Sequence, residues 1–208
     1  CAWSGMPPAR SGGPKTSLVT LDGTIHFSEF TAVETERPSP GRALQDAEEW
    51  WRQILASARR GLDGGAVRRE SVRAVAVTGQ WSSVVPTRAD LSPAGPCRMW
   101  LDTSASRHSQ RIVGGPVLGY DPRWLTAWLR RTAGVPSPRG GDPVSHMLGF
   151  QHDEPGIAAG TAHYLEPVDH LTSRFAGRVH ASAASMCGTW LVDIRDDRTA
   201  YASELVSR

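Results

Sequence analysis

The sequence lacks the features that mark membrane proteins, nucleic-acid-binding proteins and disulfide-rich secreted domains. No apolar run approaches the roughly 20 residues that a membrane-spanning helix needs. The 23 basic residues, nearly all arginine, are scattered among 21 acidic ones, so no basic stripe indicates nucleic-acid binding. The three cysteines, Cys1, Cys97 and Cys187, are too few and too widely spaced for a disulfide framework, and they fit a reducing cytoplasm.

Several short motifs of nucleotide and acyl chemistry are also missing. The sequence has no Gly-x-x-x-x-Gly-Lys-Ser/Thr phosphate loop, no Gly-x-Gly-x-x-Gly fingerprint and no Gly-x-Ser-x-Gly elbow. The histidine pairs His146 with His152 and His163 with His170 lack partners at metal-ligand spacing. We therefore interpret these histidines as surface or core residues, and we predict no metal site.

What the sequence does contain is ordinary globular composition, with 39% hydrophobic residues and eight tryptophans in 208 residues. This length suffices for one large domain or for a domain with a small lobe. Residues 1–14 are rich in Gly, Pro and Ser and show no period, so we expect a disordered or degenerate N-terminus. The folded domain is then expected over residues 15–208.

Periodic patterns predict both strands and helices. Residues 16–33 predict a β-hairpin, because two strand-like runs flank the Asp-Gly pair at 22–23. A helix is predicted over residues 46–62, with Asp46 as its N-cap and Glu49 completing a capping box.

The rest of the chain continues this alternation. The β-branched run Val72–Thr78 ends at a glycine and predicts a strand that can bring a ligand to its end. Short strands are predicted at 84–85 and 98–101, and helices at 122–132, 143–152, 166–175 and about 200–206. Strands interleaved with helices predict a layered α/β domain.

Two short segments, VTGQWS and MWLDT, are the candidate site. They present an amide, two indoles, a hydroxyl and a carboxylate: Gln80, Trp81, Trp100, Ser82 and Asp102. Sugars need this chemistry, since their hydroxyls bond to amides and carboxylates while their C–H faces pack on aromatic rings. A core tryptophan beside a strand-end aspartate is the alternative interpretation, and spacing alone does not choose between them.

These segments and their neighbours, taken in order, resemble the FGGY family of carbohydrate kinases, and xylulokinases in particular. The order of the motifs is more specific than any one of them, and the likeness covers about residues 15–208. The matching pieces are QDxExWW from Gln45, VAVTGQWS from Val75, WLDT from Trp100, GDP at 141–143 with His146, LEPVDHL from Leu165, and DxR and YxxEL from Asp193 and Tyr201.

The resemblance implies a ribonuclease-H-like N-terminal domain with the actin and hexokinase fold, a mixed sheet with flanking helices whose first strand is degenerate here. In that family the sugar lies in a cleft and a C-terminal domain holds most of the ATP. By this match Gln80, Trp81 and Ser82 line the sugar pocket, with Trp100 and Asp102 beside it. We expect Asp102→Ala to weaken sugar binding without unfolding the chain.

The same resemblance implies departures that count against phosphoryl transfer by this chain alone. The family's Asp-x-Gly-Thr-Thr/Ser loop should fall at residues 8–12, where Pro-Ala-Arg-Ser-Gly stands. Ser104 replaces the usual arginine, Val168 replaces the usual lysine, and Trp-Ser at 81–82 replaces the Met-His of xylulokinases. The family's catalytic aspartate and ATP-binding domain would lie beyond Arg208. We therefore expect no catalytic residue here and no tight binding of ATP or Mg.

Three interpretations remain open from the sequence. The chain is the sugar-binding half of an ATP-dependent kinase for a ketose or polyol, completed by a missing C-terminal domain or a dimer partner. Alternatively it is a catalytically inactive sugar-binding or regulatory remnant of such a kinase, or an α/β domain without a ligand. The partner expected is a sugar or polyol rather than a nucleic acid or a membrane.

Overall fold

Helices and short strands alternate along the chain. A computed structural model describes residues 12–65, 67–132, 134–195 and 200–208. In chain order its elements are β1 (Lys15–Val19), β2 (Ile25–Phe30), β3 (Leu44–Gln45), α1 (Ala47–Asp63), β4 (Val85–Thr87), β5 (Cys97–Arg98), α2 (Ser106–Val113), β6 (Gly114–Gly115), β7 (Gly119–Tyr120), α3 (Pro122–Thr132), α4 (Pro143–Asp153), α5 (Pro155–Ala159), β8 (His163–Leu165), α6 (Pro167–Ala176), α7 (Ala183–Gly188), β9 (Val192–Asp193), β10 (Ala200–Tyr201) and α8 (Ser203–Val206).

The predicted N-terminal hairpin is present. β1 and β2 pair antiparallel, and the turn between them places Gly23 at φ 89°, a conformation that favours glycine. The pairing continues outward to Gly12, whose carbonyl accepts the Val33 N–H at 2.9 Å, so it begins before the boundary expected at residue 15. The predicted degenerate strand lies mostly in residues 1–11, outside the described residues.

Helix α1 begins and ends within one residue of its prediction. The Asp46 carboxylate accepts the Glu48 N–H at 2.8 Å and caps the first turn, as predicted. The other half of the predicted capping box is not formed within the described residues, since Glu49 pairs with Arg52 and accepts a hydrogen bond from Gln53 instead. The helix buries Trp50 in the main core, together with Val33, Ala43, Ala47, Val85, Cys97 and Met99.

The run Val72–Thr78, which the sequence predicts as a strand, pairs with no residue of the described ranges. Val72 and Val75 are 43% and 60% exposed. A β-branched run favours a strand, but a ladder also needs a neighbour, and propensity does not supply one. In the described residues the predicted mixed sheet is represented by five two-stranded antiparallel ladders.

A second core joins the middle of the chain to its end. Val113 of α2 and Trp128 of α3 pack against Ala202 and Leu205. Helices α3, α4 and α6 lie where the sequence predicted them, and Gly177 ends α6 at φ 68°. The helix predicted over 200–206 is shorter than expected, because its first two residues form β10. In the described parts of the chain, every helix is too short or too polar to cross a bilayer.

Candidate functional site

The two predicted segments lie side by side. Val84 and Arg98 form an antiparallel bridge with hydrogen bonds of 2.9 and 3.0 Å in the two directions. Just before this bridge, the Ser83 hydroxyl accepts the Trp100 N–H at 2.9 Å. We call residues 80–83 the first loop and residues 100–104 the second loop. The backbone ladder therefore brings the first loop against the start of the second, as the sequence suggested.

Both predicted indoles are about half exposed, Trp81 at 55% and Trp100 at 51%. Trp81 packs over Gly188, where an added Cβ would lie only 2.4 Å from its Nε1. Its ring also meets Trp190 edge-on, with centroids 5.7 Å apart. One side of the indole is thus fixed by the protein and the rest is open, which is the arrangement that the C–H face of a sugar packs against.

Ser82, which directly follows Trp81, has an unusual backbone conformation. Its φ is 65°, in the left-handed region that costs a non-glycine residue about 1 kcal/mol. The Ser82 hydroxyl donates to the Gly141 carbonyl at 3.1 Å, and its N–H donates to Glu166 Oε1 at 3.2 Å. The segments that precede α4 and α6 therefore determine where this serine points.

Gln80 has one of its two polar groups committed. Its Nε2 lies 3.2 Å from Met99 Sδ, a weak interaction that orients the amide. The amide oxygen makes no hydrogen bond with any residue of the described ranges and remains available as an acceptor. The side chain is half-buried.

Asp102 is fully buried, unlike the other predicted site residues. Its Oδ2 accepts the Ala43 N–H at 2.9 Å, and its Oδ1 accepts the Ser104 N–H and hydroxyl at 3.0 and 2.5 Å. Arg42 Nε lies 3.9 Å from Oδ2. These donors occupy the carboxylate, so in this conformation it supports the second loop from beneath and presents no open oxygen to a ligand.

A buried arginine that the sequence did not suggest lies behind Asp102. Arg98 is fully buried, with Nη2 3.0 Å from Glu154 Oε2 and its guanidinium over the Phe150 ring at 4.6 Å. Arg42 binds the other oxygen of Glu154 at 2.6 Å. Arg98 Nη1 also reaches Ser104 Oγ at 3.4 Å, so a guanidinium stands beside the position where the FGGY pattern has an arginine.

His146 lies in the same interior. It is fully buried, and neither ring nitrogen has a hydrogen-bond partner among the described residues. Burial lowers the pKa of His146 to about 4; the Asp102 charge opposes this shift and the Arg98 charge reinforces it. The imidazole is therefore neutral at pH 7, in agreement with its interpretation as a core residue.

Glu166 is the residue at this site that the sequence reasoning missed. β8 pairs with β4 in a register that sets Leu165 opposite Val85, which brings Glu166 to the edge occupied by Ser82. The Glu166 side chain is only 5% exposed. The pKa of Glu166 is raised to about 7, mainly by burial; the hydrogen bond from the Ser82 N–H opposes this shift, and the Asp169 charge adds to it. The sequence signal that could have identified Glu166 is its position between a short strand and the proline that begins a helix.

Comparisons with known proteins agree on one family. The model of the FGGY family of carbohydrate kinases, N-terminal domain, matches residues 12–205. The chain is similar to the xylulose kinase of Escherichia coli K12, with 24% identity over 184 residues that make up 88% of this chain and 35% of that enzyme. Against the xylulose kinase of Klebsiella pneumoniae the identity is 21%, over 95% of this chain and 38% of that enzyme. The chain thus spans little more than a third of these curated relatives.

Solved structures share the fold. A crystal structure of a xyloylose kinase from Brucella ovis superposes with a TM-score of 0.76 at 18% identity, over 92% of this chain and 37% of the other. A glycerol kinase from Plasmodium falciparum has a TM-score of 0.71 at 16% identity over 92% of this chain and 37% of that one. This overlap confirms the predicted actin- and hexokinase-like α/β fold.

Proposed function

The chain belongs to the FGGY family of carbohydrate kinases, and on that basis we propose that it forms the sugar-binding half of an ATP-dependent kinase for a xylulose-like ketose or a polyol. The observation that carries the proposal is the pair of half-exposed indoles, Trp81 and Trp100, on two loops that meet at the hydrogen bond between Ser83 and the Trp100 N–H. Half-exposed tryptophans are costly to leave in water and suit a ligand with C–H faces.

Each residue of the first loop has a role in this proposal. The open face of Trp81 packs against the sugar ring or chain, and Trp100 packs against it from the second loop. The Gln80 amide oxygen accepts a sugar hydroxyl, and the Ser82 hydroxyl, which already donates to Gly141, accepts another. Asp102 acts from beneath, because its carboxylate fixes the second loop that carries Trp100.

Phosphoryl transfer is the part of the proposal that reaches beyond this chain. Mg-ATP supplies the phosphoryl group in such kinases, and the reaction also needs a carboxylate to take the hydroxyl proton. Across residues 12–65, 67–132, 134–195 and 200–208, no three His, Cys, Asp or Glu side chains lie close enough to hold a metal ion. We assign the described residues sugar binding and no step of the transfer.

Binding is tested by thermal shift and calorimetry of the 208-residue chain with ketoses and polyols. A ligand at 100 times its Kd should stabilise the fold by about 2.7 kcal/mol. Trp81→Ala is expected to weaken the best ligand about tenfold, since a stacked indole contributes on the order of 1 kcal/mol or more. Ile25→Ala, an exposed apolar residue of β2 outside the site, is the matched control and should bind like the wild type. Equal affinities for all three proteins would contradict the assignment.

A second candidate function is sugar binding without turnover. Ser104 and Val168 occupy positions where the resemblance implies charged residues, and this favours a module that has lost phosphoryl transfer. ADP release from the chain with sugar and Mg-ATP separates the two candidates. Turnover, alone or after addition of a separate C-terminal kinase domain, supports the kinase half, whereas sugar binding that never leads to turnover supports the second candidate.

A further inference from the structure

We propose that Glu166 is a further sugar-binding residue, which fixes Ser82 with one carboxyl oxygen and accepts a sugar hydroxyl with the other. This inference rests on the proposed function, because it needs a ligand with hydroxyl groups in the site formed by the first loop. It adds a carboxylate to a site from which Asp102, the carboxylate predicted by the sequence, is withdrawn by its own hydrogen bonds.

The Glu166 side chain points away from its own helix and toward the first loop. Glu166 is the N-cap residue of α6, yet its carboxyl makes no capping bond to that helix. It reaches across to the first loop instead, where Oε1 accepts the Ser82 N–H at 3.2 Å. Its Oε2 has no hydrogen-bond partner in the described ranges. One oxygen is thus anchored at the site and the other is left to be satisfied.

Among the described residues, no cation compensates the charge of the Glu166 carboxyl. The groups that face it are Asp169 from its own helix, the buried Cys97 thiol from β5, whose pKa burial raises, and the Ser82 N–H from the first loop. None of them is a cation. A nearly buried carboxyl without a cationic partner is costly, and such groups concentrate at functional sites, where a ligand supplies the missing bonds.

Glu166 also affects the backbone geometry of its neighbour Ser82. Ser82 keeps its left-handed backbone only while surrounding groups hold it there, and the hydrogen bond to Glu166 is one of those that do. Loss of this bond would release the backbone that orients both Ser82 and Trp81. Glu166 is therefore expected to act on the ligand directly and through the first loop.

The experiment is a calorimetric titration of the 208-residue chain with xylulose and with xylitol between pH 5.5 and 8.5. An ionised carboxylate is a stronger acceptor than a neutral one, so wild-type affinity should rise by about three- to tenfold with pH. Glu166→Gln keeps the size and one acceptor but does not titrate, so its affinity should stay at the low-pH level throughout. Glu70 is an exposed glutamate distant from Glu166 in the chain, so Glu70→Gln should keep the pH slope of the wild type.

The outcomes separate this inference from the proposed function. If Glu166→Gln keeps the wild-type pH slope, or if folded Glu166→Ala binds as tightly as the wild type, the role of Glu166 is overturned while Trp81-dependent binding stands. If the wild-type chain binds neither probe at any pH, both proposals fail. Circular dichroism identifies an unfolded Glu166→Ala, in which case the Gln variant alone decides.

Discussion

The two loops that meet at the candidate site carry similar residues and are held in opposite ways. In the second loop, Asp102 is buried and ties the loop to itself and to Ala43. The first loop has no such internal anchor. It is held from outside, by the Gly141 carbonyl and by the carboxyl of Glu166.

This contrast shows how to separate a structural carboxylate from a binding one. Asp102 is buried, with a backbone donor on Oδ2 and a backbone and a hydroxyl donor on Oδ1, and a buried group bonded in this way contributes to the fold. Glu166 has one donor, no described cation and one open oxygen, so the fold gains little from its charge. In the sequence, Asp102 and Glu166 look alike, because each is an acidic residue that follows a short strand. Only their hydrogen-bond partners in the structure tell the structural carboxylate from the binding one.

The largest expected effect is at Asp102. Asp102→Ala leaves the buried Ala43 N–H and the half-buried Ser104 donors without an acceptor, so we expect it to lower the free energy of unfolding by about 3 to 5 kcal/mol. This revises the expectation from the sequence that the substitution would spare the fold. Urea unfolding followed by tryptophan fluorescence measures it.

A matched control exists within the chain. Asp90 accepts the N–H and hydroxyl of Ser92, as Asp102 does with Ser104, but it lies in an exposed loop. Asp90→Ala should therefore cost no more than about 0.5 kcal/mol. If instead the two variants are equally stable and only Asp102→Ala loses sugar binding, Asp102 is the ligand that the sequence predicted and the contrast between the loops disappears.

The sequence was sufficient for elements whose signals are local. Asp46 and Asp142 cap α1 and α4, and Gly177 ends α6, so each helix carried its own start or stop. Helix α2 was missed because its buried face contains His108 and Ser109, which give no apolar period. The run at 72–78 has no ladder partner among the described residues, and its own pattern could not say which segment would pair with it.

The candidate site, like the fold, could be predicted from the sequence only where its signals are local. The first and second loops contain local motifs, and their residue types indicated sugar chemistry. The burial of Asp102 depends on Ala43 and Arg42, about sixty residues earlier in the chain. The position of Glu166 depends on the register between β4 and β8, which no pattern within either segment specifies.

The next largest expected effect is that of Glu166→Gln on how the free energy of unfolding depends on pH. The folded pKa of Glu166, about 7, lies above the ordinary 4.5, so the folded chain binds this proton more tightly than the unfolded chain does. The resulting stabilisation is complete below pH 4.5 and is lost as the pH rises to 7. Glu166→Gln stays neutral, so it should exceed the wild type by about 1 to 3 kcal/mol at pH 8 and match it in acid.

Melting temperatures of the two proteins across this pH range measure the effect. The curves should converge at low pH and separate by several degrees above neutrality. Glu70→Gln, whose carboxyl is exposed, should follow the wild type throughout. Parallel curves for Glu166→Gln and the wild type would mean that Glu166 is as well compensated as Asp102, and the two loops would no longer differ in this respect.

The smallest expected effect tests whether the first loop is strained. Ser82→Ala removes the hydrogen bond to Gly141 but keeps a side chain in the left-handed region, so it should cost about 1 kcal/mol. Ser82→Gly loses the same bond and also removes the conformational cost of about 1 kcal/mol, so it should be nearly as stable as the wild type. Both variants should bind sugar more weakly, since both lack the hydroxyl. Urea unfolding could instead show Ser82→Gly to be less stable than Ser82→Ala. The backbone at Ser82 would then not be strained, and the hydrogen bond from its N–H to Glu166 would not be needed to hold it in place.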